Sequence, residues 1–212
     1  MTTPATRHPA PLILASGSHS RRQLLSGAGV RFEAVSAEVD ERALRDAALA
    51  RDPATSPPAL ALMLARAKAD DVSARHPQAI VIGADQMLAL GTILYEKPID
   101  MAEARTHLIA MRGRTHQLHG GLVVRAPRAA GDWSVWTHTD TAHMTMRAFT
   151  PEFLEAYLSE AGPRICQSVG AYQLEGLGLQ LFERIDGDYF TILGLSLLPL
   201  MAHLRTLGVM PR

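Results

Sequence analysis

"AIVIGADQMLAL", residues 79–90, is the most core-like segment of the chain: an Ile/Val run that closes on Gly83, Ala84 and Asp85. A continuous apolar run of this kind reads as a strand buried on both faces, as in sheets whose crossover connections cover them with helices. Asp85 falls where the run ends, which is where open α/β sheets place their ligand crevices. A carboxylate there can take a proton from water or ligate a metal; it can equally cap a turn.

Upstream, Ala59 to Arg75 reads as a helix with Leu60, Leu64, Ala67 and Val72 near one stripe, leaving Arg66, Lys68 and Asp71 at its edges or outside. Before it lie the breaker cluster Asp52 to Pro58 and a polar, Ala-rich segment, Val39 to Leu49. Pro11 to Ala15 reads as another buried strand and Arg31 to Val35 as a third, separated by a helix over Arg21 to Ala28 with Leu24 and Leu25 inward. Downstream, Gly91-Thr92 turns the chain, and Asp100 N-caps a helix running to about Arg112. Thr115 to Arg125 and Trp133 to Arg147 read as long strands joined by "APRAAGD", a hairpin signal. A helix with Pro151 in its first turn follows, to Ala161. Next come the glycine-punctuated loop Val169 to Gly178, strands over Leu179 to Ile185 and Tyr189 to Leu193, and a last helix from Ser196 to Leu207. Crossover units beside hairpins predict an α/β fold with a mixed sheet and flanking helices.

The 212 residues, 47% hydrophobic and 20% charged, can bury a core as one domain or two closely joined lobes. Met1 to Ala10 is read as a mobile tail and residues 11–212 as a single domain. Lys plus Arg (21) balance Asp plus Glu (21), so no overall basic field favours nucleic acid or an anionic membrane. The longest apolar stretch, Ile192 to Ala202, is interrupted by Ser196 and Pro199 and falls short of the roughly 20 residues a membrane helix needs. A single cysteine, Cys166, excludes an intrachain disulfide and suits a reducing, cytoplasmic setting.

A second candidate for chemistry is "LILASGSHSRRQLL", residues 12–25. A short loop leaving a strand and entering a helix presents unpaired N–H groups at the positive end of the helix dipole, which suits phosphate. Ser16, Ser18 and Ser20 add hydroxyls, and Arg21 and Arg22 add guanidinium forks. The same residues also serve ordinary caps, turns and solvated surfaces. Neither a Walker loop nor a GxGxxG is present. Asp40 and Glu41, in "EVDER", either hold a divalent ion or belong to a solvated face. His116 and His119 lie three apart on a strand and so point to opposite faces, with no metal pattern around them. Cys166 reads as a small buried residue, and Met144 and Met146 as core.

Taken in order, these motifs resemble the Maf family of nucleotide pyrophosphatases. "LASGSHSRRQLL" is similar to the family's "LASxSPRRxELL", "EVDE" to its V/I-D-E segment, and Lys68 falls in its "AxxKA" helix. "VIGADQ" resembles "VIGADT", "EKPID" resembles "GKPxD", and "MRGRTHQLHGGLVV" resembles "LSGRTHxVxTGVxV". "SVGAYQLEGLGLQLFERIDGDYFTILGLSLLPL" resembles the closing "KAGAYGIQGxG…IxGDYxNVVGLPL".

The resemblance implies a Maf/ITPase-like fold with a cleft between two lobes. It also implies hydrolysis of a nucleoside triphosphate to monophosphate and pyrophosphate with Mg²⁺ or Mn²⁺. A homodimer is an open assembly. Carried over by position, Asp85 would activate water, with Ser16, Ser18, Arg21, Arg22, Lys68 and Lys97 gripping the triphosphate and Glu41 contacting metal. Ser20, Gln86 and Glu175 occupy the positions that set base choice. Gln86 and Glu175 resemble the subfamily acting on 7-methyl-GTP, whereas Ser20 departs from that subfamily's large aromatic. The family's Lys, Asn and Pro are replaced by Ser168, Thr191 and Ser196. Those losses motivate a second expectation, a nucleotide-binding regulator of cell division with little or no turnover.

Overall fold

The computed structural model describes residues 10–128 and 132–211. The expected tail thus lies outside the described residues apart from Ala10, as does the apex of the "APRAAGD" hairpin. One mixed sheet of seven strands organises the chain, in the order β2-β1-β3-β5-β6-β7 with β4 pairing β3. The strands are β1 (Leu12–Ala15), β2 (Glu33–Ala34), β3 (Ile80–Leu90), β4 (Ile93–Tyr95), β5 (Thr115–Pro127), β6 (Trp133–Met146) and β7 (Phe182–Asp186). β1 runs parallel to β2 and β3, and every other pairing is antiparallel. The expected mixed α/β fold with flanking helices is therefore the observed one.

Helix α1 (His19–Gly27) starts at an N-cap, Ser18, whose side chain accepts from the Arg21 amide. Helix α2 (Glu41–Arg51) occupies the segment that carried no periodic signal. Only Ala48 of it is buried, so no apolar stripe betrays it; Asp40 Oδ1 caps it by accepting from the Ala43 amide at 2.9 Å. Helix α3 (Pro57–Arg75) lies flat on β3 and β5. Helix α4 (Met101–Met111) is capped by Asp100 and helix α5 (Pro151–Ala161) by Thr150, with Pro151 at its first position.

Two expectations near the C-terminal end need correction. Tyr189 to Leu193 is not a strand: Asp188 Oδ1 accepts from the Thr191 amide at 2.9 Å and starts a short helix, α6 (Tyr189–Ile192). That local cap overrides the β propensity of the aromatic and β-branched residues. The strand expected from Leu179 begins instead at Phe182, after a 3₁₀ turn over Leu177–Leu181. Helix α7 (Leu197–Thr206) is the last helix among the described residues.

The long strands β3, β5 and β6 serve two cores. Ile82, Ala84, Leu122 and Val124 pack with β1, α1 and α7, whereas Leu88, Leu118, Met144 and Met146 pack with α4 and α5. Both methionines are core, as the sequence suggested. A third cluster lies beneath α3. There the stripe Ala61, Ala65 and Ala69 meets Gly83 and Gly121, whose missing side chains let the helix touch the sheet backbone. A Cβ on Gly83 would stand 2.2 Å from the Ala65 carbonyl oxygen, and one on Gly121 2.4 Å from that of Ala61.

Candidate active site

The register of β3 makes an opening in the sheet. β1 pairs with it only as far as Gly83, and β4 takes over at Leu88. Between them the β3 edge is left unclaimed, and Asp85 and Gln86 lie in that interval. Asp85 faces α3 and Gln86 the opposite side, because neighbouring side chains on a strand alternate. A cleft of about 1080 Å³ wraps this edge and reaches both. β3 runs five residues beyond Asp85, so this carboxylate sits at the break in pairing rather than at the strand's end.

Asp85 is 5% exposed and Lys68, on α3, is 8% exposed. The helix-edge, outward position expected for Lys68 is wrong. The close approach of α3 to Gly83 and Gly121 carries this lysine into the cleft, where its Nζ lies 2.6 Å from Asp85 Oδ1 and 2.9 Å from Glu41 Oε2. Burial pushes the Asp85 carboxyl above its ordinary value, against the pull of Lys68 and Arg21; the Glu41 charge adds to the rise.

The loop after β1 brings in the other side. Ser16 Oγ accepts from the Ser18 amide at 3.2 Å and from Arg21 Nη1 at 3.3 Å. Arg21 is buried, and its Nε donates to the Gly194 carbonyl at 2.8 Å. Burial lowers its pKa, while the charges of Asp85 and Glu41 oppose that loss. Lys68 thus enters from one face of the sheet and Arg21 from the other, meeting at the β3 edge. Arg22 and Lys97 are exposed on the cleft wall.

Gln86 Nε2 donates to the carbonyls of Thr191 at 2.8 Å and Ile192 at 3.2 Å. Its amide hydrogens are committed there, so what it has left to offer is an acceptor, Oε1. Glu175 and Ser20 also line the cleft. The loop carrying Glu175 is pinned from behind: His116 Nε2 and the Tyr172 hydroxyl are 2.8 Å apart, and the Tyr157 hydroxyl donates to the Ala171 carbonyl at 3.1 Å. Ala171 has φ 56, a left-handed conformation uncommon outside glycine.

The residues that the family resemblance carries over, from Ser16 to Glu175, therefore border one cleft. Cys166 does too, half-buried on the wall rather than in the core as expected. The reading from sequence passed over Arg42 and Arg45, which α2 turns into the cleft, where both pair with Glu96. Their i, i+3 spacing after the Asp40 cap was the available signal. Asp40 itself is a helix cap.

The donor set suits a hard divalent ion. Among the described residues no three His, Cys, Asp or Glu converge. Glu41 and Asp85 do share Lys68, and each carboxylate keeps unused lone pairs. Mg²⁺ is ordinarily held by one or two carboxylates with water and phosphate oxygens supplying the rest.

A strand-loop-helix turn rich in hydroxyls, a buried carboxylate and cations converging from two sheet faces line the cleft of this mixed α/β protein. The family model described as Maf-like protein matches residues 11–207, and the chain belongs to the Maf family. It is 52% identical over 198 residues to a 7-methyl-GTP pyrophosphatase of Mesorhizobium japonicum, covering 93% of this chain and 96% of that one. A protein of the same name from Rhizobium etli is 51% identical over 197 residues, with 93% and 96% covered. A nucleoside triphosphate pyrophosphatase of Paramagnetospirillum magneticum is 50% identical over 199 residues, with 92% and 98% covered.

Proposed function

We propose that this protein hydrolyses a nucleoside triphosphate between its α and β phosphates, releasing a nucleoside monophosphate and pyrophosphate. The carrying observation is the pair Asp85–Lys68, a buried carboxylate 2.6 Å from an ammonium at the floor of a cleft lined by further cations. Asp85 takes the proton from the attacking water. Its raised pKa brings it nearer neutrality and makes it a stronger base than an exposed carboxylate. Lys68 holds that carboxylate in place and stabilises charge on the phosphoryl oxygens. Arg21, Arg22, Lys97 and the Ser16–Ser18 loop hold the triphosphate and its departing pyrophosphate. A divalent ion on Glu41 and Asp85 would neutralise phosphate charge.

For the base, Gln86 Oε1 and the Glu175 carboxylate are both acceptors, which suits the N1–H and N2–H₂ edge of a guanine. The names of the relatives support a 7-methylguanine nucleotide as substrate. Ser20 supplies no aromatic face for the cationic methylated ring, so unmethylated GTP is also accepted on this reading. Such substrates and the lone cysteine fit a cytoplasmic setting.

The test is a panel of natural and methylated triphosphates with Mg²⁺ or Mn²⁺ and identification of products. Monophosphate plus pyrophosphate supports the proposal. Binding without products across the panel sinks it in favour of a nucleotide-binding regulator.

A further inference from the structure

Two of the three positions where the motifs depart from the Maf pattern, Thr191 and Ser196, flank the segment that supplies the Gly194 carbonyl to Arg21. Both are buried, at 1% and 4% exposure. Thr191 Oγ1 lies 2.9 Å from Asp140 Oδ2 on β6 and 2.9 Å from Ser196 Oγ. Thr191 spends its one hydroxyl hydrogen on Asp140, so the direction of this chain is fixed: Ser196 donates to Thr191 and Thr191 donates to Asp140. The same turn presents the Thr191 and Ile192 carbonyls to Gln86. Gly194 itself has φ 96, a conformation that a side chain would strain. Beneath lies Gly120 of β5, where an added Cβ would be in ordinary contact with Thr191 Cγ2 at 3.6 Å and Ser196 Oγ at 3.7 Å.

We infer that Thr191, through Asp140 and Ser196, is a positioning residue that ties the α6–Gly194 turn to β6 and so fixes the Arg21 guanidinium at the triphosphate site. The chain of hydroxyls fastens the turn at one end, the Asp188 cap fastens it at the other, and the Gly194 carbonyl between them is the acceptor that orients Arg21 Nε. Among the described residues, one bond from Arg21 Nε and one from Nη1 to Ser16 hold this buried fork, so a turn free to shift releases it. The inference rests on the proposed pyrophosphatase reading for its consequence, though not for its geometry.

Two readouts separate the two. The first is the Arg21 Nε–H NMR signal, assigned by its loss in Arg21→Lys; it is expected to be protected from solvent exchange in the wild type. Thr191→Val should abolish that protection, and Thr191→Ser should restore it. The second is turnover: Thr191→Val should lower kcat/KM about 10- to 100-fold, the scale of an ångström-level misplacement, without adding to the loss caused by Arg21→Ala. Ser196→Ala, which leaves the Thr191–Asp140 bond in place, should give a smaller loss in the same direction and serves if Thr191→Val does not fold. Protection unchanged in the variants overturns the inference, as does a turnover loss fully additive with Arg21→Ala. If the wild type releases no pyrophosphate from any triphosphate, the functional reading fails while the Arg21 signal still decides the positioning role.

Discussion

The Ala65 carbonyl rests on Gly83 so closely that a single methyl group on the strand would stand 2.2 Å from its oxygen. This contact, repeated at Gly121, sets the height of α3 above the sheet and hence the reach of Lys68. Gly83→Ala is expected to push the helix away, costing about 1–3 kcal/mol of stability. It should also lower turnover by separating Lys68 from Asp85. Gly27→Ala, in the last turn of α1, is the control, since its Cβ would meet nothing within 4 Å. Thermal unfolding and kcat of the two variants check this; equal effects would show that α3 height does not matter.

Lys68→Met removes the ammonium that holds the Asp85 pKa down, so burial and Glu41 would raise it further. A base works in its ionised form, and its rate falls as pH drops through its pKa. The acid limb of the pH–rate profile should therefore move to higher pH in Lys68→Met, and part of the loss seen at neutral pH should be recovered at alkaline pH. Asp85→Asn should instead lose roughly 10²- to 10⁴-fold at neutral pH and recover none of it at alkaline pH. Near-normal turnover in Asp85→Asn would refute the assignment of the base.

What the sequence disclosed and what it hid follow from the same physics. Strands β1 and β3 and helices α4 and α5 announced themselves by apolar runs and caps, which are local signals. Helix α2 did not, because it buries only Ala48 and its stabilising contact, Glu96 with Arg42 and Arg45, joins residues about 50 positions apart. Lys68 was placed outside because helical periodicity assumes that a lysine avoids the core. The two glycines that overturn the assumption lie on other elements. Motif order grouped residues that the fold brings to one cleft, where spacing alone left each residue ambiguous. The Thr191–Asp140 contact had no signal at all, since its partners lie on an antiparallel strand and a turn taken for a strand.

His116 gives a pH dependence of stability. Its ring is fully buried against Tyr172, and burial lowers its pKa from 6.5 to about 4. The folded state therefore keeps it neutral while the unfolded chain takes up a proton near 6.5. Stability from this residue is complete above that pH and declines as pH falls toward about 4, below which the folded state protonates too. The full decline amounts to about 3 kcal/mol. Urea unfolding between neutral pH and pH 4 should show His116→Gln losing less stability on acidification than the wild type, whatever its starting stability. Parallel pH profiles would show that the ring is not held neutral by the fold.

Base choice offers the sharpest test of the acceptor pair. If the Glu175 carboxylate accepts from the guanine N2 amino group, the wild type should favour GTP over ITP, which lacks that group, and Glu175→Ala should narrow that kcat/KM ratio with little change for ITP. The Ser20 position predicts a complementary gain. Installing an aromatic face with Ser20→Trp should raise the ratio of 7-methyl-GTP to GTP, because only the methylated ring carries a positive charge to stack on it. At a partly exposed site that attraction is worth about 0.5–1 kcal/mol, so the ratio should rise roughly two- to five-fold. Competition assays with both nucleotides in one mixture measure it directly. An unchanged ratio in Ser20→Trp would mean that the base does not lie against Ser20, and the role of that position in base choice would fall.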